Sequence, residues 1–207
     1  MAIAFSVFTS GFAADAPITA YVSFTVLERG AGGHTVPFEL STKAAPKRGN
    51  RLQVWLSADD ACSALVVAFN KSGQLAWPDE PLLVSLPAHN EQQLPSAGEW
   101  KWEMPGAVTE FDVVLVDLRS PALPQLTQLI EAMHAPAQPP IRVRQIAELR
   151  RTIDSMTQRA AAADYSMKTE PVSLAGLLRG MGCDWCKDAQ KISVPRSGSY
   201  LVRQRFP

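Results

Sequence analysis

The sequence carries no excess of charge of either sign. Its 20 basic residues equal its 20 acidic residues in a chain of 207. A protein that binds the phosphate backbone of nucleic acid needs a surplus of lysine and arginine. The balance therefore predicts no nucleic-acid partner. No apolar run has the length of about 20 residues that a membrane-spanning helix needs, so no membrane span is predicted either.

The motifs of the common hydrolases and nucleotide-binding enzymes are also absent. The three histidines, His34, His89 and His134, are scattered and lack the HExxH or HxxxH spacing of a metal site. There is no GxSxG elbow and no Walker or Rossmann glycine pattern. We therefore predict a protein that is not an enzyme and has no catalytic residues, no cofactor and no metal.

Cysteine is scarce, and two of the three cysteines stand close together, as Cys183 and Cys186 in the sequence CDWC. An odd number leaves at least one thiol free or bonded to another chain. In an exported protein the two can pair with each other, or one can pair with Cys62. The same spacing suits a redox dithiol, and Cys62 with a distant histidine would complete four zinc ligands. We interpret Cys183 and Cys186 as a disulfide candidate and keep a thiol-disulfide or thiol-metal protein as the alternative function.

The N-terminus resembles a secretory signal peptide that lacks its basic part. Residues 2–12 are uncharged and mostly apolar, and small residues follow at Ala13, Ala14 and Ala16. Either the true start lies upstream, or this segment is a first strand. We predict a signal peptide over residues 1–14 and a periplasmic or secreted location.

Short β-strand patterns follow one another between residues 18 and 121. Arg51 to Ser57 alternates, with Val54 and Leu56 on one side and Trp55 on the other, as in a half-buried antiparallel strand. Residues 64–69 and 111–118 are almost continuously apolar and predict central strands. The 16 prolines favour short elements joined by loops. The polar segment over residues 88–98 is predicted to be such a loop.

The character of the sequence changes after Pro121. Residues 123–133 and 141–163 have apolar residues at helical spacing and are joined by the proline-rich segment 135–140. Residues 191–194 and 199–206 have the pattern of a terminal hairpin. The predicted fold is mainly β, a small antiparallel β-sandwich over residues 18–121. A helical extension over residues 122–182 follows, and residues 183–207 hold the CxxC motif and a C-terminal β-hairpin that returns to the sheet.

Tryptophan supplies the candidate binding residues. Trp100 and Trp102 alternate on one face of a predicted strand over residues 99–103, and Trp55 and Trp77 would widen that surface. Such a face suits a sugar or a peptide; the alternative is packing of the same rings in the core.

The run from Arg51 to Pro121 carries a recurring order of turns, prolines and apolar strands. Its motifs are Leu65–Phe69, Ser72-Gly73, Trp77-Pro78, Ala97-Gly98, Met104-Pro105-Gly106, Val113–Val116 and Ser120-Pro121. This order resembles the bacterial domain of unknown function four-three-eight-four, which accompanies caspase-like peptidases, protein kinases or cell-envelope proteins. The resemblance implies an accessory β domain without catalytic residues. We therefore expect a non-catalytic exported bacterial accessory module that binds protein or cell-envelope components.

Overall fold

The computed structural model of the chain describes residues 16–29, 35–38, 49–78, 81–94, 108–162 and 190–205. These residues form ten strands and two helices, and the strands form two antiparallel sheets. The prediction of a mainly β fold is confirmed. The predicted signal peptide over 1–14, the predicted strand over 99–103 and the pair Cys183 and Cys186 lie outside the described residues.

The first sheet has five strands. They are β1 (Ile18–Arg29), β2 (Thr35–Phe38), β3 (Arg51–Ala58), β7 (Glu91–Leu94) and β9 (Gln190–Val194). The order is β2–β1–β3–β7, and β9 also pairs with β1. The two partners use different parts of β1, because β9 pairs with its first half and β2 with its second half. A strand from the end of the chain thus completes the edge of a sheet that begins near the start.

The second sheet also has five strands. They are β4 (Cys62–Asn70), β5 (Leu75–Trp77), β6 (Leu83–Leu86), β8 (Val108–Asp117) and β10 (Ser199–Arg205). The order is β10–β8–β4–β5, with β6 paired to the first half of β4. The turn that joins β4 to β5 contains Gly73 at φ 75°, a conformation that glycine adopts without steric cost. The predicted turn at this position is confirmed.

The two sheets pack face to face around one shared apolar core. Alternate residues of β3, among them Val54 and Leu56, point into this core and meet alternate residues of β4 and β8. Phe111 belongs to this core, and the ring of Phe24 packs edge-on against its ring with 5.9 Å between ring centroids. The alternation of apolar residues therefore places the first sheet with one face in the core and the other face outward.

A helical layer covers the opposite face of the second sheet. It consists of α1 (Ala122–His134) and α2 (Pro139–Ala162). Leu65, Val67 and Phe69 of β4 pack against buried residues of both helices. The buried helical residues are Leu126, Leu129, Ile130, Met133, Leu149, Ile153 and Met156. Strands β4 and β8 are therefore buried on both faces, which is why their sequences are continuously apolar rather than alternating.

Two sequence predictions are wrong at this level. The predicted C-terminal hairpin is an arch, because β9 pairs with β1 in the first sheet and β10 pairs with β8 in the second. Both strands do return to the sheets, but each completes a different one. The segment 88–98, predicted as a loop, contains strand β7, whose polar sequence EQQL pairs with β3 at the edge of the first sheet.

Two carboxylates hold the turn of this arch. Asp117 accepts a hydrogen bond from the backbone N–H of Ser197 at 2.8 Å, and Asp60 pairs with Arg196 at 2.6 Å. Burial acts to raise the pKa of Asp117, but hydrogen bonds from Arg119 and Ser197 outweigh it and hold the pKa below its ordinary value. The direct hydrogen bond from Arg196 likewise lowers the pKa of Asp60. The ionised carboxylates therefore fasten the crossing between the sheets.

The helical layer should unfold together with the sandwich. Ile153→Ala removes a fully buried side chain of α2 and is expected to lower the free energy of unfolding by about 2–5 kcal/mol. Val143→Ala, at a position of the same helix that is 59% exposed, should change it by less than about 0.5 kcal/mol. Urea unfolding followed by tryptophan fluorescence and by far-UV circular dichroism measures both. Separate transitions for helices and sheets would contradict the three-layer core.

Because Asp117 holds the turn of the arch, we expect Asp117→Asn to lower the stability of the fold in a pH-dependent way. Loss of the charged hydrogen bonds should lower the free energy of unfolding at pH 7 by roughly 1.5–3 kcal/mol. Folding lowers the pKa of Asp117 below its value in the unfolded chain, 3.8. The stabilisation is therefore fully present at pH values above 3.8 and disappears as the pH falls through the lower pKa of the folded state. The difference from wild type should shrink below about pH 4 in urea titrations. The control is Glu131→Gln, which changes an exposed carboxylate of α1. An equal loss of stability in this control would refute the role of Asp117.

Candidate functional site

The first sheet presents an outward face that neither described helix covers, because both helices pack on the second sheet. The alternation that sends Val54 and Leu56 into the core sends Trp55 and Ser57 outward. The same reasoning applied to β1, β7 and β9 gives the other members. We define the outer face as Tyr21, Ser23, Trp55, Ser57, Glu91, Gln93 and Lys191.

Strand register arranges the outer face in two neighbouring rows. In one row Lys191 stands opposite Tyr21, Tyr21 opposite Ser57, and Ser57 opposite Glu91. In the next row Ser23 stands opposite Trp55, and Trp55 opposite Gln93. Directly opposed side chains in antiparallel strands lie within contact distance. Tyr21 and Trp55 are therefore diagonal neighbours, and each has a serine directly opposite it on the adjacent strand.

A small cavity lies within this face. It is lined by Tyr21, Ser23, Trp55, Leu56, Ser57 and Glu91, and its volume is about 10 Å³. A cavity of this size holds about one water molecule or one group of similar size. Ser23 at its floor is only 3% exposed, whereas the rings of Tyr21 and Trp55 are half-buried. The cavity is therefore a shallow opening in the sheet surface with part of each ring beside it.

Two polar atoms of the cavity residues are buried without a hydrogen-bond partner among the described residues. They are Nε1 of Trp55, a donor, and Oε2 of Glu91, an acceptor when ionised. Desolvation raises the pKa of the Glu91 carboxyl. A buried polar group without a partner costs free energy, about 1–3 kcal/mol in mutational data. Such a group is satisfied when a ligand or a water molecule supplies the missing hydrogen bond.

The structure separates the tryptophans that the sequence grouped together. Trp55 lies on the outer face, whereas Trp77 belongs to the second sheet and packs against the core between the sheets. Its ring stacks on Phe111 with 5.7 Å between ring centroids. Trp77 therefore does not widen the surface around Trp55, because the sandwich core lies between them. Trp100 and Trp102 lie outside the described residues.

Of the six residues that line the cavity, the sequence predicted only Trp55 as a site residue. Among those it missed are Tyr21, Ser23 and Glu91. The alternation of β1 contained the signal for the first two, because Tyr21 falls between the inward residues Ala20 and Val22 and Ser23 follows Val22. Glu91 had no such signal, since its strand has a single buried apolar residue, Leu94.

Cys62, the cysteine among the described residues, has a thiol of low reactivity. Cys62 is a free thiol that is 0% exposed in the core between the sheets. Burial and the nearby carboxylates of Asp117, Asp59 and Asp60 raise its pKa to about 11, so the reactive thiolate is scarce at neutral pH. Cys183 and Cys186 lie outside the described residues, and their pairing stays a prediction. Within the described ranges, no group of three or more His, Cys, Asp or Glu residues is placed to hold a metal ion.

A second group of polar residues lies between the second sheet and α2. Arg203 of β10 binds both oxygens of Asp112 at 2.8 Å and also reaches Asp154 of α2 at 2.8 Å. Glu110 accepts from Arg150 and from Arg205, each at 2.9 Å. Burial raises the pKa of Asp112, while the paired guanidinium of Arg203 opposes that shift. The three carboxylates are all engaged by arginines, so this cluster joins the helix to the sheet.

Comparison of the chain with protein-family models, with curated proteins and with solved structures found no match. The resemblance of Arg51 to Pro121 to the domain of unknown function four-three-eight-four thus stays a prediction. Neither α1 nor α2, the helices of the described residues, is long and apolar enough to cross a membrane.

The isolated carboxyl of Glu91 predicts an unusual pH effect. Folding raises the pKa of Glu91 above its value in the unfolded chain, 4.5. The contribution of the neutral carboxyl to stability is therefore present at pH values below 4.5 and is lost as the pH rises through the higher pKa of the folded state. Glu91→Gln should therefore be more stable than wild type at pH 7, by up to about 1 kcal/mol. The difference should vanish near pH 4, as measured by urea unfolding of both proteins. A Gln variant that is less stable at pH 7 would show that Glu91 has a stabilising partner.

Proposed function

We propose that this chain is a non-catalytic, exported bacterial accessory module that binds a protein or cell-envelope component through the outer face of its first sheet. The observation that carries the proposal is the cavity beside Tyr21 and Trp55, whose lining residues include a buried donor and a buried acceptor that have no partner in the described part of the chain. Their unmet hydrogen bonds favour the binding of a further molecule at this place.

The composition of the outer face supports recognition. Half-buried tyrosine and tryptophan provide large, rigid contact surfaces, and these residue types are enriched at the energetic centres of interfaces. Hydroxyl, amide and carboxylate groups of Ser57, Gln93 and Glu91 surround them. The face thus combines apolar contact with groups that orient a partner.

Several other titratable side chains of the described residues have structural partners, which supports a non-catalytic role. Asp59 accepts from the backbone N–H of Thr19 at 2.8 Å, while Asp60 and Asp117 hold the arch. Nε2 of His134 lies 2.7 Å from the carbonyl oxygen of Pro81. These groups connect segments of the fold.

The resemblance of Arg51 to Pro121 to an accessory domain and the apolar segment over residues 2–12 support the export and the accessory role. Both are features of the sequence, and both agree with a small β-sandwich that offers one sheet face to a partner.

Co-sedimentation tests the proposal. The purified chain is mixed with the cell-envelope fraction of the bacterium that encodes it, and the bound fraction is measured after centrifugation. We expect saturable binding that falls at least about tenfold in Trp55→Ala, corresponding to a loss of at least about 1.4 kcal/mol. Val143→Ser, an exposed change on the helical layer, is the matched control and should bind like wild type.

Circular dichroism and thermal unfolding confirm that each variant is folded before binding is compared. No saturable binding, or equal loss in both variants, would contradict binding through the outer face.

A further inference from the structure

Resting on the proposed function, we infer that the outer-face cavity binds a neutral saccharide, with one sugar hydroxyl inserted between Trp55 and Glu91. The juxtaposition of an indole N–H and a carboxylate oxygen, both without a partner among the residues that the structure describes, and two half-buried aromatic rings carries the inference. It names the chemical class of ligand, which the proposed function leaves open.

The hydrogen-bonding demands of the cavity select the inserted group. Nε1 of Trp55 can only donate, and the ionised carboxylate of Glu91 can only accept. A group that satisfies both must accept one hydrogen bond and donate another, as a hydroxyl does. Both residues line the same cavity for a single small group, and the inference places one hydroxyl there as the partner of both.

Charged ligands meet these demands less well. An ammonium group donates but cannot accept, so it would leave the indole N–H of Trp55 unsatisfied. A carboxylate or phosphate accepts but cannot donate, and it would meet the negative charge of Glu91. Lys191 carries the opposite charge, but it stands on the other side of Tyr21 from Ser57 and Glu91. The positive charge of Lys191 and the negative charge of Glu91 therefore balance within this row, which suits a neutral ligand.

The size of the cavity and the rings beside it point to a sugar. The cavity of about 10 Å³ admits one hydroxyl but not a ring, so the rest of the ligand must lie over the sheet surface. There the half-buried rings of Tyr21 and Trp55 offer apolar surface. A saccharide provides both parts, since its hydroxyls carry hydrogen bonds while its C–H faces pack on aromatic rings.

The experiment follows the indole signal of Trp55 by ¹⁵N–¹H NMR in the full chain, assigned by its absence in Trp55→Phe. The probes are the tetramers of β-linked glucose, α-linked glucose, mannose and N-acetylglucosamine. We expect at least one to shift the Trp55 signal saturably. Methylammonium and acetate, which offer only a cationic or an anionic group in place of a hydroxyl, should not shift it at the same concentration.

Two variants test the two hydrogen bonds. Glu91→Leu removes the acceptor, and Trp55→Phe keeps an aromatic ring while it removes the donor. Each should weaken binding of the active saccharide about tenfold, the effect of losing about 1.4 kcal/mol. Affinity is measured by calorimetry, and Val143→Ser should bind like wild type.

The outcomes separate this inference from the proposed function. Should no tetramer shift the Trp55 signal while Trp55→Ala still abolishes envelope binding, the saccharide inference is overturned and the binding module stands. Retention of full affinity in Glu91→Leu, or an equal shift with methylammonium or acetate, would also overturn it. Failure of both the titration and the co-sedimentation would reject the binding role as well.

Discussion

Strands β4 and β8 pair along nine registered positions and are buried on both faces, so each contributes to two cores at once. One set of their side chains fills the space between the sheets, and the alternate set receives the helices. The burial of so much apolar surface on one strand pair makes both outer layers dependent on it. One apolar face of this strand pair packs against the first sheet and the other packs against the helical layer, and these two contacts set the positions of both layers.

The terminal arch adds a second constraint, of a different kind. Strands β9 and β10 come after residue 189, yet they complete the edges of β1 and β8, which lie far earlier in the chain. Asp60 and Asp117 hold the turn between them through Arg196 and the backbone of Ser197. The sandwich is therefore completed only when the end of the chain has returned, and the link between the sheets depends on ionised carboxylates.

The two polar regions of the molecule differ in how their buried groups are satisfied. Between α2 and the second sheet, Asp112 and Glu110 are paired with arginines, and the guanidinium of Arg150 also lies 4.9 Å from the ring centroid of Phe69. Breaking one member of such a network leaves an uncompensated buried charge. In that cluster Nη1 of Arg150 has no partner among the described residues, but its guanidinium binds Glu110 through Nη2. At the outer face, by contrast, the Glu91 carboxylate is not paired with any arginine of the described residues, and Oε2 of Glu91 and Nε1 of Trp55 are buried there without a partner. This difference is the physical reason for assigning a structural role to the first region and a binding role to the second.

Much of the fold could be read from local patterns. Alternation in Arg51 to Ser57, the continuous apolar runs of β4 and β8, the turn at Gly73 and the helical seam through Leu149 and Ile153 all reflect how backbone geometry distributes side chains over faces. The choice of strand partners could not be read in this way, because a strand pattern shows which side is apolar but not which edge it meets. The arch, the polar strand β7 and the separation of Trp55 from Trp77 are consequences of pairing across the sheets. The candidate site is of the same origin: Glu91 meets Ser57 and Trp55 only because β7 pairs with β3, and burial then leaves their polar atoms in need of a partner.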